Sequence, residues 1–401
     1  MRAVVVIGAG AAGLSAALAL RDRGASVTLL EAGPRPGGKV GTVHEGGFLV
    51  ESGAIGILDR DGELGPLCRR LGLTLVPARA EATERWVLRD GRVHALPASL
   101  PALIGTGLLS LREKLGLAPE PFRPRSRSGR ANGREGEHAG GEAGREAEEL
   151  PESVHAFFTR RLGPGGAFLA AALQSGIYAG DSTRLEAAAC FPSIVQMERD
   201  HGSLTKGAWA AVRDRIRSRR AAGLEGAARL ASFPGGLAEL TLALAREVGP
   251  SLRTDARVLA LHREGAGYLL EVERGRTVEE LHADAVVLAL PAAQAAPLVE
   301  PLDGALAARL AEIPSAPVSL VHIGVRAAEL SRPLRGFGLL APGEPVIGTL
   351  FPSLLWAGRA PEGAVLLSSL VGGALYPEIS RLPDESLVRL VREALAQTCG
   401  L

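Results

Sequence analysis

The chain has 401 residues, enough for two domains around a substantial core. Its 45 basic residues nearly balance its 44 acidic ones, and a net charge of +1 gives no electrostatic footprint for nucleic acid. Hydrophobic residues reach 46% and mean hydropathy +0.16, but no uninterrupted apolar run attains the length of a membrane span. Cys68, Cys190 and Cys399 are scattered with no C-x-x-C pair, and the chain opens directly on a strand pattern. Reduced thiols, no cleavable leader and a cytoplasmic location are the expectations.

Residues 2–7 (RAVVVI) form a β-branched run suited to a strand buried on both faces of a parallel sheet. The run enters Gly8, Ala9, Gly10, Ala11, Ala12 and Gly13, then the Ala/Leu-rich residues 14–22, which favour helix. A second apolar run, residues 26–30, ends on Glu31. Strand, glycine turn, helix, strand and acid in that order predict a dinucleotide-binding unit. Gly8 permits the tight turn, Gly10 admits a pyrophosphate, and Gly13 lets helix pack on strand. The helix start offers free N–H groups and a positive dipole to the phosphates. Glu31 stands at the usual spacing for the ribose hydroxyls. Ala32 follows, Gly37-Gly38 can pass main chain close to a ligand, and Lys39 can neutralise phosphate. An extended block then reads Gly47-Phe48-Leu49-Val50-Glu51-Ser52-Gly53-Ala54-Ile55-Gly56.

Further along, residues 63–73 read as a helix, and residues 86–88 and 93–96 as a hairpin around Asp90-Gly91. Residues 100–117 are apolar and helical, interrupted by Pro101, Gly105 and Gly107. Burial in the core is their expected state; the alternative is an apolar surface against a membrane or lining a tunnel. Residues 126–149 lack aromatic and β-branched side chains and read as a flexible surface insertion. Residues 154–162 are amphipathic and 167–173 helical. In residues 174–181 (QSGIYAGD) two glycines around an aromatic predict a bend at a ligand rather than helix interior. Phe233-Pro234-Gly235-Gly236-Leu237 leads into a helix over 237–248. Residues 256–291 are β-rich, with Val258 on the first strand, and fit a return to the dinucleotide domain. Strands at 318–325, 336–340, 346–351 and 364–372 predict a second sheet, and residues 387–397 a last helix.

The glycine fingerprint, Glu31-Ala32 followed by Gly37-Gly38-Lys39, and the Gly47-Phe48 block together resemble the FAD-binding opening of the amine oxidase superfamily. That favours FAD over NAD. Further blocks resemble the protoporphyrinogen oxidases within it: Ser110-Leu111-Arg112-Glu113-Lys114, Glu120-Pro121-Phe122, Glu152-Ser153-Val154 with Arg160-Arg161-Leu162-Gly163, and Ser175-Gly176-Ile177-Tyr178-Ala179-Gly180-Asp181. So do Glu198-Arg199-Asp200-His201-Gly202-Ser203-Leu204, Phe233-Pro234-Gly235-Gly236-Leu237 and Arg359-Ala360-Pro361-Glu362-Gly363. The resemblance implies an α/β (α+β) fold of the amine oxidase/p-hydroxybenzoate hydroxylase-like type. A Rossmann-like FAD-binding domain would take residues 1–80 and 225–296, a helical substrate domain 81–224, and a mixed substrate-domain sheet with a final helix 297–401. Three departures stand out. Residues 51–56 replace the family's E-x-G-P-[ND]-S, residues 128–149 lengthen a loop, and the family's closing C-terminal strand and glycine-rich turn lie beyond Leu401. On that last ground the chain is expected to fold recognisably, bind FAD weakly and turn over poorly.

What the resemblance implies chemically is oxidation of protoporphyrinogen IX to protoporphyrin IX, with hydrides passing to flavin N5 and oxygen reoxidising the flavin. Cofactor contacts would come from Gly8, Ala9, Gly10, Ala11, Ala12, Gly13, Glu31, Ala32, Gly37, Gly38, Lys39, Gly53, Ala54, Ile55, Gly56, Val258 and Leu375. The Gly176 carbonyl would face the reacting porphyrinogen, Arg85 would pair a propionate, and Phe337 would stack on a pyrrole ring. Arg85 is otherwise a solvated hairpin-edge residue and Phe337 a core residue, with Arg89 and Arg184 the next candidates for the propionate. Coproporphyrinogen oxidase, carotenoid desaturase and amine oxidase chemistry share residues 1–53, and a non-catalytic flavin-binding protein is the reading from another class. The partners implied are porphyrinogen and oxygen, not nucleic acid. Peripheral association with the inner face of the cell membrane and a homodimer stay open. No metal site is expected, since the histidines show no ligand spacing.

Overall fold

A computed structural model describes residues 2–59, 62–97, 100–124, 151–222 and 230–401. The insertion read at residues 126–149 lies outside the described residues.

Strand β1 (Ala3–Ile7) feeds helix α1 (Ala11–Asp22) and returns as β2 (Ser26–Leu30), parallel to β1. Val4, Val5, Val6 and Ile7 are all buried because both faces of the sheet are covered. Val6 packs with Leu14 and Leu18 of α1, while Val5 and Ile7 meet a β-meander on the other side. Each of those leucines contributes about 1.5–3 kcal/mol of burial. An antiparallel pair follows, β3 (Thr42–Glu45) with β4 (Phe48–Glu51). Next come β5 (Ile57–Leu58), α2 (Leu64–Leu71), stopped by Gly72 in the left-handed conformation, and β6 (Val76–Pro77). Strands β7 (Arg85–Arg89) and β8 (Arg92–Ala95) are joined by Asp90 and Gly91, whose φ of +51° and +72° are those of a type I′ hairpin turn.

The middle of the chain is helical: α3 (Leu100–Gly105), α4 (Leu111–Leu117), α5 (Val154–Tyr178), α6 (Ala187–Cys190), α7 (Pro192–His201) and α8 (Leu204–Ala222). Ser110 and Glu113 form a capping box that starts α4. Gly163 and Pro164 kink α5, with Gly163 at φ +73°. Two expectations are corrected here. Residues 100–117 are not core throughout: Leu108 and Leu109 are buried, but Ile104, Leu111 and Leu115 are 69%, 74% and 64% exposed. The break between α3 and α4 turns only one side of this segment inward. The bend expected over residues 174–181 is there, but residues 174–178 before it are helix interior and neither glycine makes the turn. Helix α5 continues through Gly176 to Tyr178, and the reversal falls at Ala179, which takes φ +48°.

The chain returns through β9 (Leu230–Ser232), which pairs with β5 and β6, and α9 (Ala238–Val248), which packs on α1. Strand β10 (Leu252–Arg253) adds to β2. The meander β11 (Ala256–Glu264), β12 (Gly267–Arg274) and β13 (Thr277–Ala283) follows, and β14 (Ala285–Leu288) adds to the far side of β1. The first sheet therefore runs β10-β2-β1-β14. Helices α10 (Ala292–Val299) and α11 (Gly304–Ala311) lead to β15 (Val318–Arg326), β16 (Gly338–Leu340), β17 (Val346–Leu350), α12 (Pro352–Leu355), β18 (Ala364–Gly372) and α13 (Asp384–Cys399). The second sheet runs β15-β18-β17-β16-β7-β8, so the early hairpin joins strands far later in the chain, Arg85 pairing with Gly338. One face of it packs against Leu387, Val391 and Leu395 of α13. The other face meets α5 at the β7 end and β4 at the β15 end. No helix among the described residues is long and apolar enough to cross a membrane.

Candidate active site

Two glycines of the β1–α1 turn are packed shut and the third is open. A Cβ on Gly8, at φ +99°, would lie 2.7 Å from the Ala289 carbonyl oxygen, and one on Gly13 would overlap the Gly8 carbonyl. A Cβ on Gly10 meets nothing within 4 Å. The fold itself thus demands Gly8 and Gly13, whereas Gly10 borders free space. Gly10 is also the N-cap of α1 and gives no side-chain cap, so first-turn amides of α1 are left for a ligand. The second glycine pair crosses the same place: the Gly37 N–H donates to the Ala9 carbonyl at 2.8 Å, and Gly38 packs on Gly10. Gly53 packs in turn on the Lys39 carbonyl. Glu31 closes the end of β2. Its Oε2 accepts the Ala9 N–H at 2.8 Å and its Oε1 the Gly33 N–H at 2.9 Å, which leaves each oxygen one further lone-pair site. The Ala256 N–H donates to the Glu31 carbonyl at 2.9 Å and so brings Val258, two residues on, to the same end. An open cradle at amide donors, an exposed Lys39 and an acceptor at the strand end fit a dinucleotide's pyrophosphate and ribose. Leu375 stands apart, half exposed, beside the Ala374 N–H that donates to the Ala179 carbonyl.

Behind this cleft lies a buried polar cluster that ties three sequence blocks together. Glu51 accepts from the Thr42 hydroxyl at 2.6 Å and from the Leu237 N–H at 2.9 Å. Arg359 donates to the Ser232 hydroxyl at 2.7 Å and the Phe233 carbonyl at 3.0 Å, and its Nη1 sits 3.7 Å from Glu51. Burial pushes the Glu51 carboxyl up and the Arg359 guanidinium down from their ordinary values, with the charge of each partly opposing the other's shift. The blocks around Gly47, Phe233 and Arg359 are thus one anchor.

The residues expected around a substrate meet on the second sheet. The Arg85 guanidinium stands 5.0 Å above the Phe337 ring, a cation–π contact worth about 0.5–1 kcal/mol at an exposed site. Arg85 pairs with Gly338, and Val87 with Leu340. Gly176 of α5 sits on Leu340, where a Cβ would clash with that side chain. Gly176 is in the last turn of α5, so its carbonyl is among those without an intrahelical donor. Arg89 is already engaged, by Glu113 at 2.7 Å, the Leu108 carbonyl at 2.9 Å and the Phe168 ring.

Sequence reasoning missed what holds the helical region. Glu120 and Arg161 are both fully buried and paired, and Glu120 also accepts from the hydroxyls of Ser203 and Thr205 and the amides of Leu204 and Thr205 at the start of α8. Burial alone would raise the Glu120 pKa, but those bonds outweigh it and hold the carboxyl down to about 2. Arg160 bridges Glu152 and Glu198. The only signal was that charged residues recur inside the E-P-F, R-R-L and E-R-D-H-G-S-L blocks. Beside this cluster runs a 480 Å³ apolar groove between α3, α4, α5 and α7, lined by Leu103, Leu117, Phe158, Leu169, Leu173 and Phe191 among others.

With a dinucleotide cradle set against a second sheet, the architecture is that of a flavin-dependent oxidoreductase. The model of the flavin containing amine oxidoreductases matches residues 11–400, and the chain belongs to that family; its cofactor is FAD. It is 30% identical to the chloroplastic protoporphyrinogen oxidase of Nicotiana tabacum, over 96% of this chain and 70% of that one. It is also 30% identical to the coproporphyrinogen III oxidase of Propionibacterium freudenreichii subsp. freudenreichii, over 99% of this chain and 77% of that one. Among solved structures, a candidate protoporphyrinogen oxidase from Exiguobacterium sp. 255-15 superposes with a TM-score of 0.77 at 26% identity, covering all of this chain and 83% of the other.

Proposed function

We propose that this chain oxidises protoporphyrinogen IX to protoporphyrin IX with oxygen as final acceptor, at FAD held between the Gly10 cradle and the second sheet. The observation that carries the reading is the Arg85–Phe337 pair, set on the same strand pair as the Gly176 helix end. An arginine poised over an aromatic beside an apolar floor suits a planar apolar ring bearing carboxylates. In this reading Gly10, Ala11, Ala12 and Gly13 receive the pyrophosphate, and Ala9 and Glu31, with Ala32 beside it, the ribose. Gly37, Gly38 and Lys39 cover the phosphates. Gly53, Ala54, Ile55 and Gly56 run along the flavin ring, and Val258 and Leu375 add outlying contacts. FAD, when bound, supplies a two-electron acceptor for the hydride. The chain's own residues bind and orient: Arg85 holds a propionate, Phe337 stacks on a pyrrole, and the Gly176 carbonyl accepts from a pyrrole N–H. Coproporphyrinogen III is the second reading, favoured by the 30% identity to a coproporphyrinogen III oxidase over 99% of the chain. Competition of the two porphyrinogens for FAD-supplemented protein, read by porphyrin fluorescence, tests both. Porphyrin formed from neither would end the proposal.

A further inference from the structure

Three successive amides at the end of β18 donate to three separate parts of the chain. The Gly372 N–H reaches the Pro345 carbonyl at 2.9 Å, just before β17, and the Gly373 N–H the Pro317 carbonyl at 2.8 Å, just before β15. The Ala374 N–H reaches the Ala179 carbonyl at 2.8 Å, at the end of α5. That third bond leaves the sheet for the helical region. Among the described residues it is the one hydrogen bond that joins residues 170–185 to the second sheet and its turns. The other bonds of the last turn stay among the helices: the Ala179 N–H donates to the Ser175 carbonyl at 2.9 Å, and the Tyr178 hydroxyl to the Cys190 carbonyl at 3.2 Å. Packing adds little direction there. Ile177 and Tyr178 are 63% and 43% exposed, and Gly176 meets the sheet through a Leu340 methyl group. Such an apolar contact limits approach but sets no angle, whereas a hydrogen bond sets both. Ala179 takes φ +48° and ψ +29°, a left-handed conformation that an alanine adopts at a cost, and in it the carbonyl meets the Ala374 amide.

We propose that Gly373 and Ala374 are positioning residues for the reaction: the Ala374 amide, brought against Ala179 because residue 373 has no side chain, fixes the end of α5 on the second sheet and so sets where the Gly176 carbonyl stands. This rests on the role of that carbonyl given under Proposed function. Gly373 takes φ +79°, and a Cβ on it would lie 2.6 Å from the Ala179 carbonyl oxygen and 2.9 Å from Cδ1 of Ile347 on β17. A side chain there would be wedged between strand and helix end, and the helix end, with the fewer neighbours, would give way. Ala179 caps the turn that contains Gly176, so a shift at one is a shift at the other. The other two substrate contacts are held independently. Arg85 is paired with Gly338 across β7 and β16, and the Phe337 N–H donates to the Glu84 carbonyl at 2.7 Å. Loosening the clasp therefore moves the carbonyl that orients the reacting pyrrole and leaves the groups that hold the ring and its propionate.

The test compares the native full chain with Gly373→Ala, Ala374→Pro and Gly363→Ala. Gly363, before the other end of β18, has φ +74° and a Cβ there meets nothing within 4 Å, so its alanine carries similar backbone strain without the clash. With FAD saturating each protein, and whichever porphyrinogen the native chain oxidises, Gly373→Ala should lower kcat about tenfold or more while KM stays within about twofold. Ala374→Pro, which deletes the donor, should do the same. Gly363→Ala should match the native protein in both. Amide exchange in the FAD-free protein reads the clasp without catalysis. The native Ala374 amide should be protected although its residue is exposed, and the Ala179 amide should exchange about tenfold faster in Gly373→Ala than in Gly363→Ala. An unprotected native Ala374 amide, an unmoved Ala179 amide, or an equal fall of kcat in Gly363→Ala would overturn the proposal. If both clasp variants fail to fold, protection of the native Ala374 amide decides it. A native chain that forms porphyrin from neither substrate would overturn the role of the Gly176 carbonyl, and with it the catalytic half of the proposal. An active native chain with kcat undiminished in Gly373→Ala would overturn the positioning role alone.

Discussion

The dinucleotide cleft and the helical region are held by opposite means. At the cleft the decisive residues are glycines, and what matters is the absence of atoms: Gly8 and Gly13 let segments touch, and Gly10 leaves a space. In the helical region the decisive residues are buried charges, and what matters is which partners are present: Glu120 meets Arg161, two hydroxyls and two amides at once. Absence is cheap for the fold and costly for the ligand when it is filled. A missing partner is costly for the fold, because an uncompensated charge stays behind.

Glu120→Ala is expected to show the largest effect, a loss of about 3–5 kcal/mol from the helical region, as it leaves buried Arg161 with only Glu198, at 3.4 Å, for a carboxylate and unpairs the hydroxyls and amides at the start of α8. Chemical denaturation followed by the tryptophans should report it. The same carboxylate fixes an acid response. Its folded pKa, about 2, lies below its ordinary value of 4.5, so its contribution is present above pH 4.5 and is lost as the pH falls toward 2. Glu120→Gln should flatten stability over that window; an unchanged pH profile would mean another group dominates. Next come paired glycine variants. Gly13→Val should cost about 3 kcal/mol or more through overlap with the Gly8 carbonyl. Gly10→Val should leave apoprotein stability nearly intact yet weaken FAD on the order of a hundredfold, the loss of about 2–3 kcal/mol of phosphate contact. Equal thermal shifts in the two variants would erase the distinction drawn here. Arg85→Ala should raise KM for a porphyrinogen about tenfold with kcat nearly unchanged, since a propionate contact serves ground and transition states alike. Smallest of all, Leu111→Ser and Leu115→Ser should change stability by no more than about 0.5 kcal/mol, because both side chains lie mostly in solvent.

The same contrast explains what the sequence disclosed. The first strand, its glycine turn and Glu31 were legible because backbone requirements act over short stretches. Gly8, Gly10 and Gly13 sit within six positions, and each does a job a single residue type can do. The hairpin at Asp90-Gly91 was legible for the same reason. Long-range pairing was not. Nothing near Arg85 says that β7 will lie beside Gly338, nor near His322 that Ser368 will face it. Residues 100–117 were misjudged because apolar content reports the ability to be buried, not the side on which neighbours arrive. The bend in residues 174–181 was legible but its place was not: two glycines mark where a helix can stop, whereas Ala179 is where it does, leaving Gly176 inside the helix. The R-R-L and E-R-D-H-G-S-L blocks marked the helical cluster without revealing its partners: apart from the Arg160–Glu152 pair, 8 residues apart, they lie 38 to 84 residues apart.

The central claim, that FAD in the Gly10 cradle oxidises a porphyrinogen bound near Arg85, is tested most directly by porphyrin formation. The full chain and its Gly10→Val variant would each receive FAD at a concentration that just saturates the native chain and either protoporphyrinogen IX or coproporphyrinogen III in air, with porphyrin fluorescence followed against a protein-free control. The account predicts a rate above that control for the native chain, dependent on FAD and lost in Gly10→Val while that variant remains folded. A native rate no higher than the control with either substrate, or an undiminished rate in Gly10→Val, would contradict it.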